Sequence, residues 1–386
     1  MVGKNAGNRK GGAISRRDWI RNAGVMSLGM ALGGRLLGQA APGAQSRIAR
    51  YPELKHINLA GNENPFGPSQ KVSMAIMREV GNSCRYPFRE EEILKDRIAE
   101  REGVPSDHVI LGNGCDEILA LAAAAYAAPG KTVVSASPTY LQLGEHAEKK
   151  GAHVEWVSHA KSMQHDLQAM LSAVEERKAV LSYICNPDTP SGTICSAEDI
   201  KNYCIKASDT GAVFLDEVYL DLLPDFAAQT QVELVRQGYP VIIGRSFSKM
   251  HGLAGHRIGY AIARPEIVEK MGRYKMSSPS YLGVIAAIAS VDDDAFHARS
   301  RELIAKGRQE FCSLLDELGL AYTPSVGNFV FHYTGIEIRE FQKRMKDRGF
   351  LVGRPFPPYD DWCRISIGTP KEMADYEKAM REVFAS

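Results

Sequence analysis

The stretch SFSKMHGLAGHRIGYAIA, Ser246 to Ala263, decides how this chain is read. Lys249 follows two hydroxyl residues, Ser246 and Ser248, and Arg257 comes eight positions later, ahead of the strand-like run Ile258 to Ala263. A lysine can condense with an aldehyde, and an arginine can hold a phosphate through a bidentate contact. The spacing Ser246-x-x-Lys249 also has a second reading, a nucleophilic serine beside a lysine in an acyl-transferase. Such enzymes need SDN-like and KTG-like elements as well. The nearest strings here are Ser208-Asp209-Thr210 and Lys131-Thr132-Val133, the latter upstream of the serine and lacking its glycine. The reading centred on Lys249 is the better one.

Four upstream motifs fit that reading. GNGCDEIL begins at Gly112, after the apolar run Val109 to Leu111, and opens a helix-like stretch, Leu119 to Ala128. Glycines such as Gly114 let backbone N–H groups approach an anion, and a helix N-terminus at Cys115 and Asp116 adds favourable partial charge. SPTY, Ser137 to Tyr140, follows the strand-like Thr132 to Ser135; its proline sets a sharp exit, and Tyr140 can lie flat on an aromatic ring. NPDTPSGT starts at Asn186, directly after the apolar run Ala179 to Cys185, at a strand's carboxyl end, where α/β sheets place ligands. FLDEVYLDL carries Asp216 at the end of another apolar strand, with Tyr219 three residues on. A carboxylate against a pyridine nitrogen keeps that nitrogen protonated, which makes the ring an electron sink. Together the five motifs point to pyridoxal 5'-phosphate. No metal ligands are expected.

With these motifs the chain resembles the fold-type I, class I/II aminotransferases, and within them the histidinol-phosphate aminotransferases. The resemblance runs from about Leu59 to the C-terminus and includes NENPFGPS (Asn62 to Ser69), Tyr86-Pro87 and CRISIGTP (Cys363 to Pro370). It implies an aspartate-aminotransferase-like α/β fold, with a seven-stranded, mostly parallel sheet in a large domain and a smaller α/β domain. Lys249 would join the cofactor aldehyde and shuttle the substrate proton. Asp216 would pair with the ring nitrogen, Asn186 and Tyr219 would hold the phenolate oxygen, and Tyr140 would stack on the ring. Gly114, Cys115, Asp116, Ser246, Ser248 and Arg257 would cradle the phosphate, with Tyr86 reaching the phosphate of a partner subunit in a homodimer. Asn62, Arg354 and Arg364 would meet the substrate, Arg364 at its anionic end.

The chain departs from the common family pattern at Cys115, where a small residue is usual, at NPDTPSG, and at His251 and His256, which stand where apolar residues are common. These changes leave cofactor binding intact and bear on the substrate. The expected reaction moves an amino group from an amino acid or amino-phosphate, histidinol-phosphate-like, to a 2-oxo acid such as 2-oxoglutarate. The same cofactor residues also serve lyases, decarboxylases and oxidases, so those outcomes stay open at this point.

The front of the chain differs in kind. Residues 1–41 carry seven basic residues and one acid, against a net charge of +1 for the whole chain, so the remainder is acidic and nucleic acid is not an expected partner. Ser15 to Arg21 (SRRDWIR) resembles a twin-arginine export motif, followed by an uncharged stretch, Asn22 to Gly34, too short to span a bilayer, and by small residues Gly38 to Ala41. A periplasmic or otherwise exported, folded enzyme delivered by the twin-arginine machinery is the expectation, or a cytoplasmic one if the signal goes unused. Seven cysteines, an odd number scattered without a CxxC, read as reduced thiols. Pro129 to Thr132 (PGKT) lacks the first glycine of a phosphate loop, since Ala125 stands there.

A coarse pass predicts helices over Lys71 to Val80 and Glu90 to Arg101, then strands near 109, 132, 153, 180, 212, 241 and 258 alternating with helices. A long helix from Asp294, strands at Asn328 to Tyr333 and Cys363 to Ile367, and helices from Glu337 and Lys371 complete it. The expected organisation is a signal at 1–41, an N-terminal arm at 46–85, a large cofactor-binding domain at 86–290 and a small C-terminal domain at 291–386.

Overall fold

Alternating buried residues along the central strands explain the architecture. In β6 (Ala212–Asp216), Val213 and Leu215 enter one apolar core while Ala212 and Phe214 enter another. A strand buried on both faces must be covered by helices on both sides, the arrangement of a doubly covered parallel sheet. The computed structural model describes residues 56–385, so the twin-arginine motif lies outside them, as does the start of the N-terminal arm.

The main sheet has seven strands in the order β2-β8-β7-β6-β5-β3-β4. They are β2 (Val109–Gly112), β3 (Thr132–Ser137), β4 (His153–Ser158), β5 (Leu181–Cys185), β6, β7 (Val241–Ser246) and β8 (Gly259–Ile262). Only β8 runs against its neighbours β2 and β7. All seven expected strands are present. Strand order changes direction around β5–β3, and the carboxyl ends of β3, β5, β6 and β7 line up, bringing Ser137, Cys185, Asp216 and Ser246 to one edge. Ligands of open α/β sheets bind at that edge.

Two small sheets lie outside it. β1 (Ile57–Asn58) pairs in parallel with β10 (Phe350–Leu351), and β9 (Phe329–Tyr333) pairs antiparallel with β11 (Trp362–Ser366). A third core, with Leu59, Val330, Phe341, Ile365 and Tyr376 at its centre, packs these strands against the C-terminal helices. The last helix, Pro370–Phe384, starts with a reciprocal capping box between Thr369 and Glu372, which satisfies two otherwise orphaned N–H groups.

The helix-like stretch read from Leu119 belongs to a helix that begins at Cys115, the expected helix start, and runs to Tyr126. Asp116 and Glu117 sit in its first turn, where acidic side chains complement the positive end of the helix dipole. No side chain caps this helix, and Cys115 and Asp116 of its first turn line the cavity described below. All seven cysteines are free.

Candidate active site

Strand parity decides which polar residues face the cavity. In β6 and β7, Asp216 and Ser246 share the face of Phe214 and Ile242, while Glu217 and Arg245 point the other way. There Arg245 is fully buried and pairs with Glu217 at 2.7 Å and Glu102 at 2.9 Å, locking the two strand ends together from behind. On the near side lies a cavity of about 340 Å³. Its lining brings together Cys115, Asp116, Tyr140, Asp216, Tyr219, Ser246, Ser248, Lys249 and Arg257, residues drawn from four separate sequence motifs.

Arg257 has the left-handed backbone φ of 55°, and its guanidinium donates to Asp116 Oδ2 at 2.8 Å and to the Ala254 carbonyl at 3.1 Å. It lies over Gly114, where a Cβ would come within 2.3 Å of Nη2. Gly259 is equally constrained, since its Cβ would meet the Cys115 nitrogen at 2.4 Å. These two glycines let the helix start, β8 and Arg257 converge. Ser246 Oγ accepts from the Ser248 N–H at 3.0 Å, folding the hydroxyl loop against the same place. The cluster of backbone N–H groups, two hydroxyls and one guanidinium suits a phosphate dianion.

Burial holds the Cys115 thiol well above its ordinary pKa, reinforced by Asp216 and Asp116, so the sulfur stays neutral beside that anion site. Tyr140 donates its hydroxyl to Asp116 Oδ1 at 2.6 Å, which orients its ring along the cavity wall. Asp216 is 2 % exposed, and burial raises its carboxyl to about 7 although Tyr183 donates to it at 3.0 Å and the Val218 N–H at 3.2 Å. A buried acid so raised calls for a cationic partner, as a pyridinium nitrogen would be. Lys249 Nζ donates to the Gly61 carbonyl at 3.2 Å and lies 5.5 Å from the Tyr219 ring centroid. Burial, helped by Arg364, lowers its amine to about 8, so a larger fraction is the nucleophilic free base at neutral pH. Tyr219 is pushed up to about 12 by burial and accepts from Asn62 Nδ2 at 3.0 Å. An aldehyde, a ring nitrogen, a phenolate oxygen and a phosphate each meet a suitable group here, so the residues fit pyridoxal 5'-phosphate.

Other expected site residues sit elsewhere. Asn186 is buried next to Cys185, which lines the cavity, its amide exchanging bonds with the Cys195 backbone at 2.9 and 3.4 Å. Tyr86 is 79 % exposed and stacks on Phe88 at 5.5 Å, outside the cavity. Arg364 donates to Thr189 Oγ1 and to the Ala60 carbonyl, both at 2.8 Å, leaving Nε without a partner. Arg354 lies over the Phe356 ring at 4.3 Å, and Arg364 approaches the same ring at 5.2 Å. Asn62, with φ of 51°, ties Tyr219 to Ser366 of β11 through its backbone N–H at 2.7 Å. His251 packs against Phe247 and His297 and bonds Ser290 at 2.9 Å; burial lowers it to about 3. It is a packing residue. His256 lies outside the cavity lining.

Sequence reasoning missed Tyr183, Thr189, Glu63 and Gly61. Tyr183 was recognisable in principle, because it sits one pleat before Cys185 on the strand paired with β6. The remaining three act through loops whose course no periodicity sets.

Residues 55–379 match the aminotransferase class I and II family model. Histidinol-phosphate aminotransferase of Moorella thermoacetica is 34 % identical over 333 residues, covering 85 % of this chain and 86 % of that protein. The second such enzyme of Ralstonia nicotianae is 34 % identical over 335 residues, covering 85 % and 89 %. The Sinorhizobium meliloti histidinol-phosphate aminotransferase, solved in complex with pyridoxal-5'-phosphate, superposes with a TM-score of 0.81 at 29 % identity, over 90 % of this chain and 98 % of that one. A Thermus thermophilus aspartate aminotransferase variant shares the fold, with a TM-score of 0.74 at 20 % identity over 91 % and 98 %.

The chain belongs to the class I and II aminotransferases. It is a pyridoxal-phosphate-dependent transaminase with an aspartate-aminotransferase-like fold.

Proposed function

We propose that this transaminase takes an amino donor with an anionic group distant from its amine, and passes the nitrogen to a 2-oxo acid such as 2-oxoglutarate. One observation carries the transamination, the Lys249 amine and the Asp216 carboxyl lining one cavity, and the anionic end rests on Arg364, whose buried Nε has no partner. Pyridoxal phosphate, when bound, supplies a conjugated sink for electrons released at the donor's α-carbon. Lys249 Nζ would take the donor's α-proton and pass it to the carbon that was the cofactor's aldehyde. Asp216 holds the proton of the ring nitrogen, Tyr219 and Asn186 orient the phenolate side, and the Tyr140 ring covers one face. Gly114, Cys115, Asp116, Ser246, Ser248 and Arg257 hold the phosphate.

Arg364, with Arg354 beside it on Phe356, is assigned to the anionic end of the donor, and Asn62 to its positioning. The relatives' name makes histidinol phosphate the first donor to test, and amino acids the second. Closure by the segment 291–386 with the arm 46–85 over the domain 86–290 belongs to the same reading. So does a homodimer in which Tyr86 completes the partner's phosphate site. The exposed apolar residues Met74, Met77, Val80, Tyr86, Phe88 and Met276 support that contact.

Export by the twin-arginine route, with residues 1–41 as signal, rests on the sequence around Arg16-Arg17. Replacing both by lysine should leave the protein in the cytoplasm with its signal uncleaved, and maturation of the variant outside would end that idea. For the reaction, holoenzyme is mixed with single donors and followed by the loss of the visible cofactor band, then given 2-oxoglutarate. Distally anionic donors should bleach the band and recover it with the acceptor. Equal turnover of neutral amines, unchanged by Arg364→Ala, would refute the assignment.

A further inference from the structure

Outside the cavity, three buried side chains converge at the carboxyl ends of β4, β3 and β5. His159 follows β4 directly. A tight turn, with Met163 N–H donating to the Ala160 carbonyl at 2.9 Å and Ala160 N–H to the Gln164 carbonyl at 3.0 Å, returns the chain and delivers His165. Asp188 comes from the NPDTP loop after β5. The three side chains are each 1 % exposed, and one donor atom from each lies within 4.8 Å of the others. His159 Nε2 is 3.7 Å from Asp188 Oδ2, and the two imidazole rings meet edge to face at 5.2 Å.

Hydrogen bonds within the protein do not complete this cluster. Neither nitrogen of His159 has a partner, nor does Nδ1 of His165. Leaving a buried polar atom unpaired is costly, so three in one place call for a ligand. His165 Nε2 lies 2.7 Å from the Cys185 carbonyl and 3.5 Å from Asp188 Oδ1, so this is the nitrogen that faces the carboxylate, and an ion bound there takes the place of the carbonyl bond. Thr139 and Ser191 donate their hydroxyls to the two oxygens of Asp188 at 2.7 and 2.8 Å, as outer partners of a ligating carboxylate do.

We propose that His159, His165 and Asp188 bind a divalent transition-metal ion of the zinc type, a structural site separate from the cofactor cavity. Two imidazoles and a carboxylate suit zinc, whose bonds of about 2.0–2.2 Å place neighbouring ligand atoms roughly 3.3 Å apart. Among the described residues no fourth histidine, cysteine or carboxylate joins the group, so a water completes the four. The ion pins the loop between Asn186 and Thr189, and Thr189 is the residue that holds Arg364 at 2.8 Å. The site therefore stiffens the seat of the substrate-facing arginine without touching the reaction.

The holoenzyme, dialysed against a chelator and then incubated with Zn²⁺, should retain one ion per chain by elemental analysis and melt at higher temperature than before. Co²⁺ in its place should give visible bands of a nitrogen- and oxygen-ligated tetrahedral ion, without the thiolate charge-transfer band a cysteine site would show. His159→Ala should lose the stoichiometric ion and the metal-dependent rise in melting temperature. Thr139→Val, which removes only an outer partner, should lower affinity by about 10–100-fold, and serves if the ligand variants fail to fold. Absence of a retained ion in the wild type, a thiolate band, or an unchanged ion in His159→Ala would each overturn the proposal.

Discussion

Gly114 and Arg257 occupy one space: the guanidinium passes where a Cβ on Gly114 would stand, 2.3 Å from Nη2, and the glycine's φ of 80° is closed to other residues as well. The phosphate cradle exists because this position has no side chain. Gly114→Ala is expected to displace Arg257 and weaken pyridoxal phosphate binding by about tenfold or more, since strain of this kind costs about 1–3 kcal/mol. Titration of cofactor-free protein, followed by the visible band, measures it; wild-type affinity in the variant would contradict the cradle.

Lys249→Ala should retain some cofactor, held by the phosphate cradle and Asp216, while turnover falls by at least about 10²–10⁴-fold, the usual worth of a positioned proton-transfer group. Single-turnover kinetics with the best donor would check this. A variant transaminating at the wild-type rate would remove Lys249 from the mechanism.

Asp216 provides a pH test in the cofactor-free protein. Its folded pKa, raised by burial to about 7, lies above the ordinary carboxyl value of 3.8, so the fold favours the protonated form. Its stabilising contribution is complete below the unfolded value and is lost as pH rises through the folded one. Wild-type stability relative to Asp216→Asn should therefore decline between about pH 5 and 7 and flatten above, in denaturant titrations at each pH. A difference that instead grew over that interval would show the carboxylate to be stabilised in its charged form.

Arg364→Ala should lower kcat/KM for distally anionic donors by about 10–100-fold, the value of one charged hydrogen-bonded contact, and leave the visible cofactor band of the resting enzyme in place. Steady-state kinetics across a donor series would separate this from a general loss of fold.

Tyr86, 79 % exposed and outside its own subunit's cavity, should complete the site of a second copy. Mixing inactive Tyr86→Ala and Lys249→Ala proteins should restore part of the activity through hybrid dimers carrying one intact site. Full turnover by a monomer in light-scattering-coupled chromatography would exclude a shared site.

Much of the site was legible because its residues sit at strand ends, and strand ends are marked by apolar runs that stop at Gly, Pro, Asn or Asp. Asp216 and Lys249 are readable that way, and so is the Cys115 helix start. Asn186 reads as a cofactor residue in the sequence, and its amide also exchanges bonds with the Cys195 backbone nine positions on, a pairing no local pattern announces.

The amino-acid order alone determined the seven-strand alternation, the lysine and its phosphate-holding arginine, and the carboxylate for the ring nitrogen, because each depends on a short period or a local turn. Only the tertiary structure decided that Arg245 and Glu217, next in sequence to Ser246 and Asp216, would point away and form a buried ion pair. Side chains one residue apart on a strand face opposite sides of the sheet, and which side holds the cavity is set by the packing of helices remote in sequence. The same packing moves Lys249 to about 8 and Asp216 to about 7, because loss of water, not residue type, sets those values.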